Sequence, residues 1–163
     1  MKWFSNPTSL EELKKQYHKL VMQHHPDRGG SEADMKSINN EYDRLFEKLK
    51  NTHENAKGET YTAQTETTET PDEFKEIIEK LITLDGIVIE ICGSWLWITG
   101  NTYIHREILK KLQFRFSKSK LAWYYHNDGW SRRGKKKFTL DEIRQLHGSE
   151  IVKSRPALKF EVV

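Results

Sequence analysis

The spacing of apolar and polar positions predicts two helices near the beginning of the chain. Apolar residues recur every three or four positions over 10–24 and again over 35–49, which is the spacing of one buried helix face. Ser9 and Ser31 each precede an acidic residue by three positions, a pattern typical of a helix start. Two amphipathic helices joined by a short link predict an antiparallel helical hairpin.

The link between these helices is the segment 25–31, which reads His-Pro-Asp-Arg-Gly-Gly-Ser. Pro26 lacks a backbone N–H and pushes His25 out of the helical conformation. Gly29 and Gly30 then permit turns that other residues avoid. We therefore predict a short exposed loop that presents an imidazole and a carboxylate beside a basic helix face, which is a docking surface rather than an active site.

Residues 16–27, which read Gln-Tyr-His-Lys-Leu-Val-Met-Gln-His-His-Pro-Asp, resemble the second helix and signature loop of J-domains. Residues 38–45 resemble the third helix, and the loop is most similar to the compact J-domains of viral and membrane-tethered J-proteins. The resemblance to the J-domain (DnaJ-like) co-chaperone family covers residues 1–50. The chain departs from the family in its shortened first helix, residues 1–4, and in Gln23, where a lysine is common.

This resemblance implies that the chain docks on a DnaK-class chaperone and stimulates its ATP hydrolysis. His25, Pro26 and Asp27 would contact the chaperone near its nucleotide-binding domain and interdomain linker. The basic residues that would face its acidic surface are Lys14, Lys15, Lys19 and Arg28. Charges at such an interface mainly steer and orient the partners. The alternative is that these lysines form an ordinary solvated helix face.

Residues 51–70 differ in composition from the hairpin. Six threonines lie between Thr60 and Thr70, together with several glutamates and almost no apolar residues. Such a segment cannot bury enough apolar surface to order itself. We therefore predict a flexible linker at 51–70 between a J-domain at 1–50 and a second domain at 71–163.

The second domain begins with a predicted helix at Pro71, followed by two apolar runs separated by a Gly-Ser pair that is typical of a hairpin turn. That register pairs Ile91 with Leu96 on the core face. It places Trp95 and Trp97 on the opposite face, away from the main core.

A third helix, a second hairpin and a last short helix complete this domain. Ile104, Ile108 and Leu112 are expected to face inward from the third helix. Tyr124 is expected on the off-core face of the second hairpin, and the last helix ends at about His147. The predicted class is α+β: a J-domain helical hairpin, a flexible linker, and a small αββαββα domain with an antiparallel sheet.

Charge is unevenly distributed over the chain, whose formal net charge is +3. Residues 103–137 contain 11 lysines and arginines against 2 acids, interleaved with tryptophan and tyrosine. Basic side chains neutralise phosphates and aromatic rings stack on unpaired bases, so we expect DNA or RNA binding, single-stranded in preference to duplex. The residues expected to bind it are Trp95, Trp97, Arg115, Lys118, Lys120, Tyr124, Trp130, Arg132, Arg133, Lys135, Lys136 and Lys137.

Two alternatives to nucleic-acid binding fit the same residues. The aromatic side chains can be core while the lysines keep a small domain soluble. Trp95, Trp97 and Trp130 can also be anchors for a protein partner. The run 100–125 faintly resembles small HARP-type modules attached to DNA-annealing helicases, which would favour DNA.

Nothing in the sequence predicts an enzyme or a cofactor. His105, His126 and His147 are isolated on different predicted elements, and no catalytic motif is present. Cys92 is the single cysteine, which excludes an internal disulfide and a cysteine-based zinc site, and we expect no bound metal. The chain has no apolar stretch of membrane-spanning length and no signal-peptide pattern. We expect no membrane association and a cytoplasmic location.

Overall fold

The computed structural model describes residues 2–55, 57–64, 69–92, 95–126, 139–147 and 150–153. The helices are α1 (Leu10–His24), α2 (Glu32–Leu49), α3 (Pro71–Leu81), α4 (Arg106–Lys111) and α5 (Leu140–His147). The strands are β1 (Thr52–Glu54), β2 (Thr60–Thr62), β3 (Ile87–Cys92), β4 (Trp95–Gly100), β5 (Arg115–Ser117), β6 (Ala122–Tyr125) and β7 (Glu150–Lys153). Over these residues the chain forms five α-helices and two antiparallel sheets, so the predicted α+β class is confirmed.

Helices α1 and α2 form the antiparallel pair predicted from their apolar spacing. The Ser9 hydroxyl accepts from the backbone N–H of Glu12 at 3.2 Å, as the capping pattern indicates. Ser31 occupies the same position before α2, but its side chain makes no capping hydrogen bond. Residues 2–4 pack across the hairpin, where the buried Glu41 carboxylate accepts from their backbone N–H groups at 3.1–3.4 Å. Although burial opposes ionisation, these hydrogen bonds lower the pKa of Glu41.

The larger sheet has five strands in the order β5-β6-β4-β3-β7. Its β3–β4 register pairs Ile91 with Leu96 and Cys92 with Trp95, as predicted from the apolar alternation. Strand β7 pairs antiparallel with β3 and was not predicted. Residues 157–163, whose apolar sequence is strand-like, lie outside the described residues.

One continuous hydrophobic core joins the helical hairpin to the larger sheet. Phe74 of α3 is 2% exposed and lies against two buried rings of the hairpin. Its ring centroid is 6.0 Å from that of Tyr17 and 6.2 Å from that of Tyr42, and the two tyrosine rings are 4.4 Å apart. The two segments expected to be separate domains, 1–50 and 71–163, therefore share a core at this point.

Strands β1 and β2 lie inside the segment expected to be a flexible linker, and they pair with each other. The Glu11 carboxylate of α1 contacts His53 Nδ1 at 2.7 Å and accepts from the backbone N–H of Glu54 at 3.1 Å. These anchors are polar, so a prediction based on missing apolar residues could not detect them. Residues 65–68 of this segment lie outside the described residues.

Helix α4 buries a different face from the one predicted. Leu109 is fully buried, and Leu112 packs against the core as expected. Ile104 and Ile108 are 65% and 40% exposed, so the prediction that they face inward is wrong. Ile104 lies in a 3₁₀ turn over Tyr103–His105, where the four-residue spacing of an α-helix does not hold, and α4 buries Leu109 in place of Ile108.

Candidate functional site

The loop between α1 and α2 is a short turn closed by backbone hydrogen bonds. Pro26–Arg28 form one turn of 3₁₀ helix. The His25 carbonyl accepts from the N–H groups of Arg28 at 2.9 Å and Gly30 at 3.0 Å, and the Pro26 carbonyl accepts from Gly29 at 3.0 Å. His25 is extended, with φ −66° and ψ 136°, as expected for a residue before proline. The loop conformation is therefore set mainly by its backbone.

The two glycines have different structural roles in this turn. Gly29 has φ +89°, a left-handed conformation that side chains rarely adopt. Gly30 has no such angle, but a Cβ atom there would lie 1.9 Å from the carbonyl oxygen of His24. Because that neighbour is backbone, only glycine fits at position 30 without moving the end of α1.

His25 and Asp27 present the polar groups of the loop. His25 Nδ1 accepts from the backbone N–H of Asp27 at 3.2 Å, which leaves Nε2 as the protonated nitrogen of the neutral ring. The Asp27 side chain is 65% exposed and that of His25 is 16% exposed. The carboxylate lies 3.8 Å from the imidazole. This pair offers a carboxylate acceptor and an imidazole beside the exposed Pro26 ring.

The basic residues predicted around the loop are not equally available. Lys19 is exposed, while Lys15 and Arg28 are half-buried. Lys14 is only 5% exposed, its ammonium group pairs with the buried Glu69 carboxylate, and it lies 5.1 Å from the centroid of the Phe74 ring. Lys14 therefore joins α1 to the following segment and cannot face an acidic partner, which corrects its predicted role.

His18 lies on the face of α1 that was expected to be exposed, but it is 1% exposed. Among the described residues, neither ring nitrogen has a hydrogen-bond partner. Burial lowers the pKa of His18 to about 4, because the charged ring would have to give up its hydration. The basic face of α1 is thus narrower than predicted.

The buried His18 predicts a loss of stability in acid. Its pKa is about 4 in the folded protein and 6.5 as the ordinary value, so folding favours the neutral ring. The stabilisation is complete above pH 6.5 and is lost as the pH falls towards 4. We expect the free energy of unfolding to fall by on the order of 2 kcal/mol at pH 4.5 from this residue. Urea titrations of the wild type and of His18→Leu at pH 7.5 and 4.5 measure this fall. If the free energy of unfolding falls equally in both proteins, His18 is not its cause.

Aromatic residues of the larger sheet form a second buried cluster on the face away from the main core. Trp97 is 4% exposed and packs with Trp95 at 6.0 Å and Tyr124 at 5.5 Å between ring centroids. Leu140 and Ile143 of α5 cover this cluster. Trp97 therefore has no free ring face for a nucleic-acid base, which corrects its predicted role, and Trp95 and Tyr124 are half-buried.

An ion pair holds α5 on this face of the sheet. Arg144 donates from Nε to Glu90 at 2.6 Å and from Nη2 to the same carboxylate at 2.8 Å. Glu90 is 1% exposed. The sequence contains a signal for such an ion pair, because Glu90 lies inside an apolar strand and a buried carboxylate needs a partner. The partner is 54 positions away, and no local pattern identified it.

Cys92 belongs to the same cluster and is not a reactive thiol. It is fully buried, with Sγ 3.7 Å from Glu90 Oε1. Burial and the neighbouring Glu90 carboxylate raise the pKa of Cys92 to about 12. The thiol therefore stays protonated at neutral pH, and a thiolate nucleophile is not formed.

The remaining predicted nucleic-acid residues are only partly described. Arg115 and Lys118 are exposed, and Lys120 is half-buried with its ammonium group 5.9 Å from the Trp97 ring. Those that lie outside the described residues are Trp130, Arg132, Arg133, Lys135, Lys136 and Lys137. In the described ranges, no group of three or more histidine, cysteine or acidic side chains could hold a metal ion. Within the same part of the chain, no helix has the length and apolarity needed to cross a membrane.

No protein-family model matches the chain, and no curated protein or solved structure matches it. Its function is therefore inferred from two features of its own geometry. The first is the exposed loop at Pro26 and Asp27. The second is the surface of the larger sheet and of the helices packed on it.

Proposed function

We propose that this protein is a J-domain-type co-chaperone that docks on a DnaK-class chaperone and stimulates its ATP hydrolysis. The observation that carries the proposal is the loop at the tip of the α1–α2 pair. There a His-Pro-Asp sequence forms a backbone-closed turn with an exposed carboxylate. A turn held by backbone hydrogen bonds suits recognition, because little conformational freedom is lost on binding.

The charge near the loop supports an acidic partner surface. Lys19 is exposed on α1, and Lys15 and Arg28 are half-buried, so these three cations, unlike Lys14, keep some exposed surface. We propose that these three, without Lys14, orient the chaperone on the loop. Such an interface should associate faster at low salt, because charge acts mainly on encounter and orientation.

The sheet domain would then select what the chaperone acts on. We propose that this target is a protein, because Trp97, one of the rings predicted to stack on bases, is buried under α5, and Trp95 and Tyr124 are half-buried against it. Nucleic-acid binding stays a prediction for the basic run 130–137, which lies outside the described residues. A cytoplasmic location is part of the same proposal, because DnaK-class chaperones work there.

The proposed activity is tested by single-turnover ATP hydrolysis on a purified DnaK-class chaperone. We expect the full chain to raise the hydrolysis rate severalfold, to saturate with concentration, and to become less effective as salt rises. Asp27→Asn keeps the size and exposure of the side chain but removes its charge, so it should stimulate less than the wild type. Absence of stimulation at micromolar wild-type protein would contradict the proposal.

A further inference from the structure

Large apolar side chains are exposed on the outer face of α4 and the turn before it. Tyr103 is 74% exposed, Ile104 65% and Ile108 40%. Ile108 lies on α4, and Tyr103 and Ile104 lie in the 3₁₀ turn directly before it. Exposed single apolar residues are ordinary, but a group of three large ones within six consecutive positions indicates an interaction surface.

Cations border this apolar face. Arg106, Lys110 and Lys111 are all exposed, and the Arg106 guanidinium lies 4.5 Å from the Tyr103 ring centroid. Glu107 is the one acid within α4, and it contacts Arg106 and Lys110, each at 3.5 Å. The surface therefore combines apolar area with a net positive charge.

The backbone under this surface is firmly held. Leu109 is fully buried beneath it, and His105 Nε2 contacts the Asp85 carbonyl at 2.9 Å. The N–H of Asn101 donates to the Gly86 carbonyl at 2.9 Å, which fixes the approach to the turn. A surface that is already ordered loses little entropy when a partner binds.

We propose that Tyr103, Ile104 and Ile108, with Arg106, Lys110 and Lys111, bind an acidic protein segment that carries apolar side chains. The apolar residues would contact its apolar side chains and the cations its carboxylates. This inference deepens the proposed function by naming the partner class of the sheet domain, and it rests on that function for its biological meaning.

The chemistry of the surface favours a protein over nucleic acid or membrane. Isoleucine has no ring to stack on a base and no donor for a phosphate, and the Tyr103 ring is already in contact with Arg106. Helix α4 has six residues, which is too short for the long amphipathic face that anchors proteins to a bilayer. Carboxylates beside leucine-like side chains match both components of the surface.

Fluorescence anisotropy with the full chain tests the assignment. The probe is a labelled synthetic helix with leucine on one face and glutamate on the other. Comparison probes are the same peptide with serine for leucine, a single-stranded oligothymidine, and vesicles containing phosphatidylserine. We expect micromolar binding of the leucine–glutamate peptide and weaker binding of all three others.

Two variants locate the binding site. Ile104→Ser with Ile108→Ser should weaken peptide binding about tenfold or more, because both anchors are lost. Lys110→Gln with Lys111→Gln should weaken it less and reduce its salt dependence. Tyr61→Ser is the matched control, since Tyr61 is 53% exposed on β2, and it should bind normally.

The outcomes separate this inference from the co-chaperone proposal. Chaperone ATPase stimulation without added peptide should be unchanged in the Ile104→Ser, Ile108→Ser protein, because the docking loop is on a different element. Loss of peptide binding with normal stimulation supports the assignment. Three results would overturn the assignment, whatever the ATPase result. They are a wild type that does not bind the peptide, an isoleucine variant that binds it equally well, and an oligonucleotide or vesicles that bind more tightly than the peptide.

Discussion

Replacing Arg144 with methionine is expected to lower the free energy of unfolding by about 3 kcal/mol. The substitution would leave the Glu90 carboxylate, which is 1% exposed, without the two hydrogen bonds at 2.6 and 2.8 Å that now stabilise its charge. Removing one partner of a buried ion pair typically costs about 3–5 kcal/mol. We expect the lower end of this range, because the Arg144 side chain is 32% exposed and water can reach the site once it is shortened.

Urea unfolding of the full chain measures this effect. Arg115→Met is the matched control, since Arg115 is exposed on the edge strand β5 and should change stability by less than about 0.5 kcal/mol. Combining Glu90→Gln with Arg144→Met should recover part of the loss, because the buried charge is then removed together with its partner. If Arg144→Met and Arg115→Met unfold at the same urea concentration, the ion pair does not hold α5 on the sheet.

Replacing His25 with glutamine is expected to reduce chaperone stimulation to the basal rate while the protein stays folded. The loop is closed by backbone hydrogen bonds from His25, Pro26 and their neighbours, and glutamine retains these. It lacks the aromatic ring and its Nε2–H group, and a central interface residue of this kind can dominate binding. The lost contact from Nδ1 to the Asp27 N–H should cost at most about 1 kcal/mol of stability.

The neighbouring histidine provides the control for this experiment. The His24 ring lies 4.9 Å from the Trp3 ring and its Nδ1 is 3.8 Å from Asp34, so the ring packs on residues outside the loop 25–31. His24→Gln should therefore retain stimulation in single-turnover ATPase assays. Wild-type stimulation by His25→Gln, with a circular dichroism spectrum equal to that of the wild type, would reject docking through this loop.

The parts of the fold that depend on neighbouring residues were predictable from the sequence. Thr70 and Glu73 form a reciprocal capping box at 3.0 and 3.3 Å, which is readable from four residues. The alternation in β3 and β4 fixed the pairing of Ile89 with Ile98 because a slip of one residue would turn every side chain to the wrong face. The loop after α1 was predictable for the same reason, since proline and two glycines act locally.

The parts that depend on distant residues were not predictable. In the sequence, Lys14 cannot be distinguished from a surface lysine. Only the structure shows its ion pair with Glu69, 55 positions later. Trp97 was correctly assigned to the off-core face, but only the position of α5 shows that this face is covered. Ile108 was placed inside because a six-residue helix gives too little periodicity to set its phase.

The contact of Phe74 with Tyr17 and Tyr42 affects how the chain folds during synthesis. When only the helical hairpin has emerged from the ribosome, the Phe74 ring that covers these tyrosines is not yet in place. Because translation adds about 5–20 residues per second, α3 emerges on the order of seconds after the hairpin. During that interval its core is unfinished and two aromatic rings remain open to solvent. The segment proposed to recruit a chaperone thus completes its own folding only after the following helix has been translated.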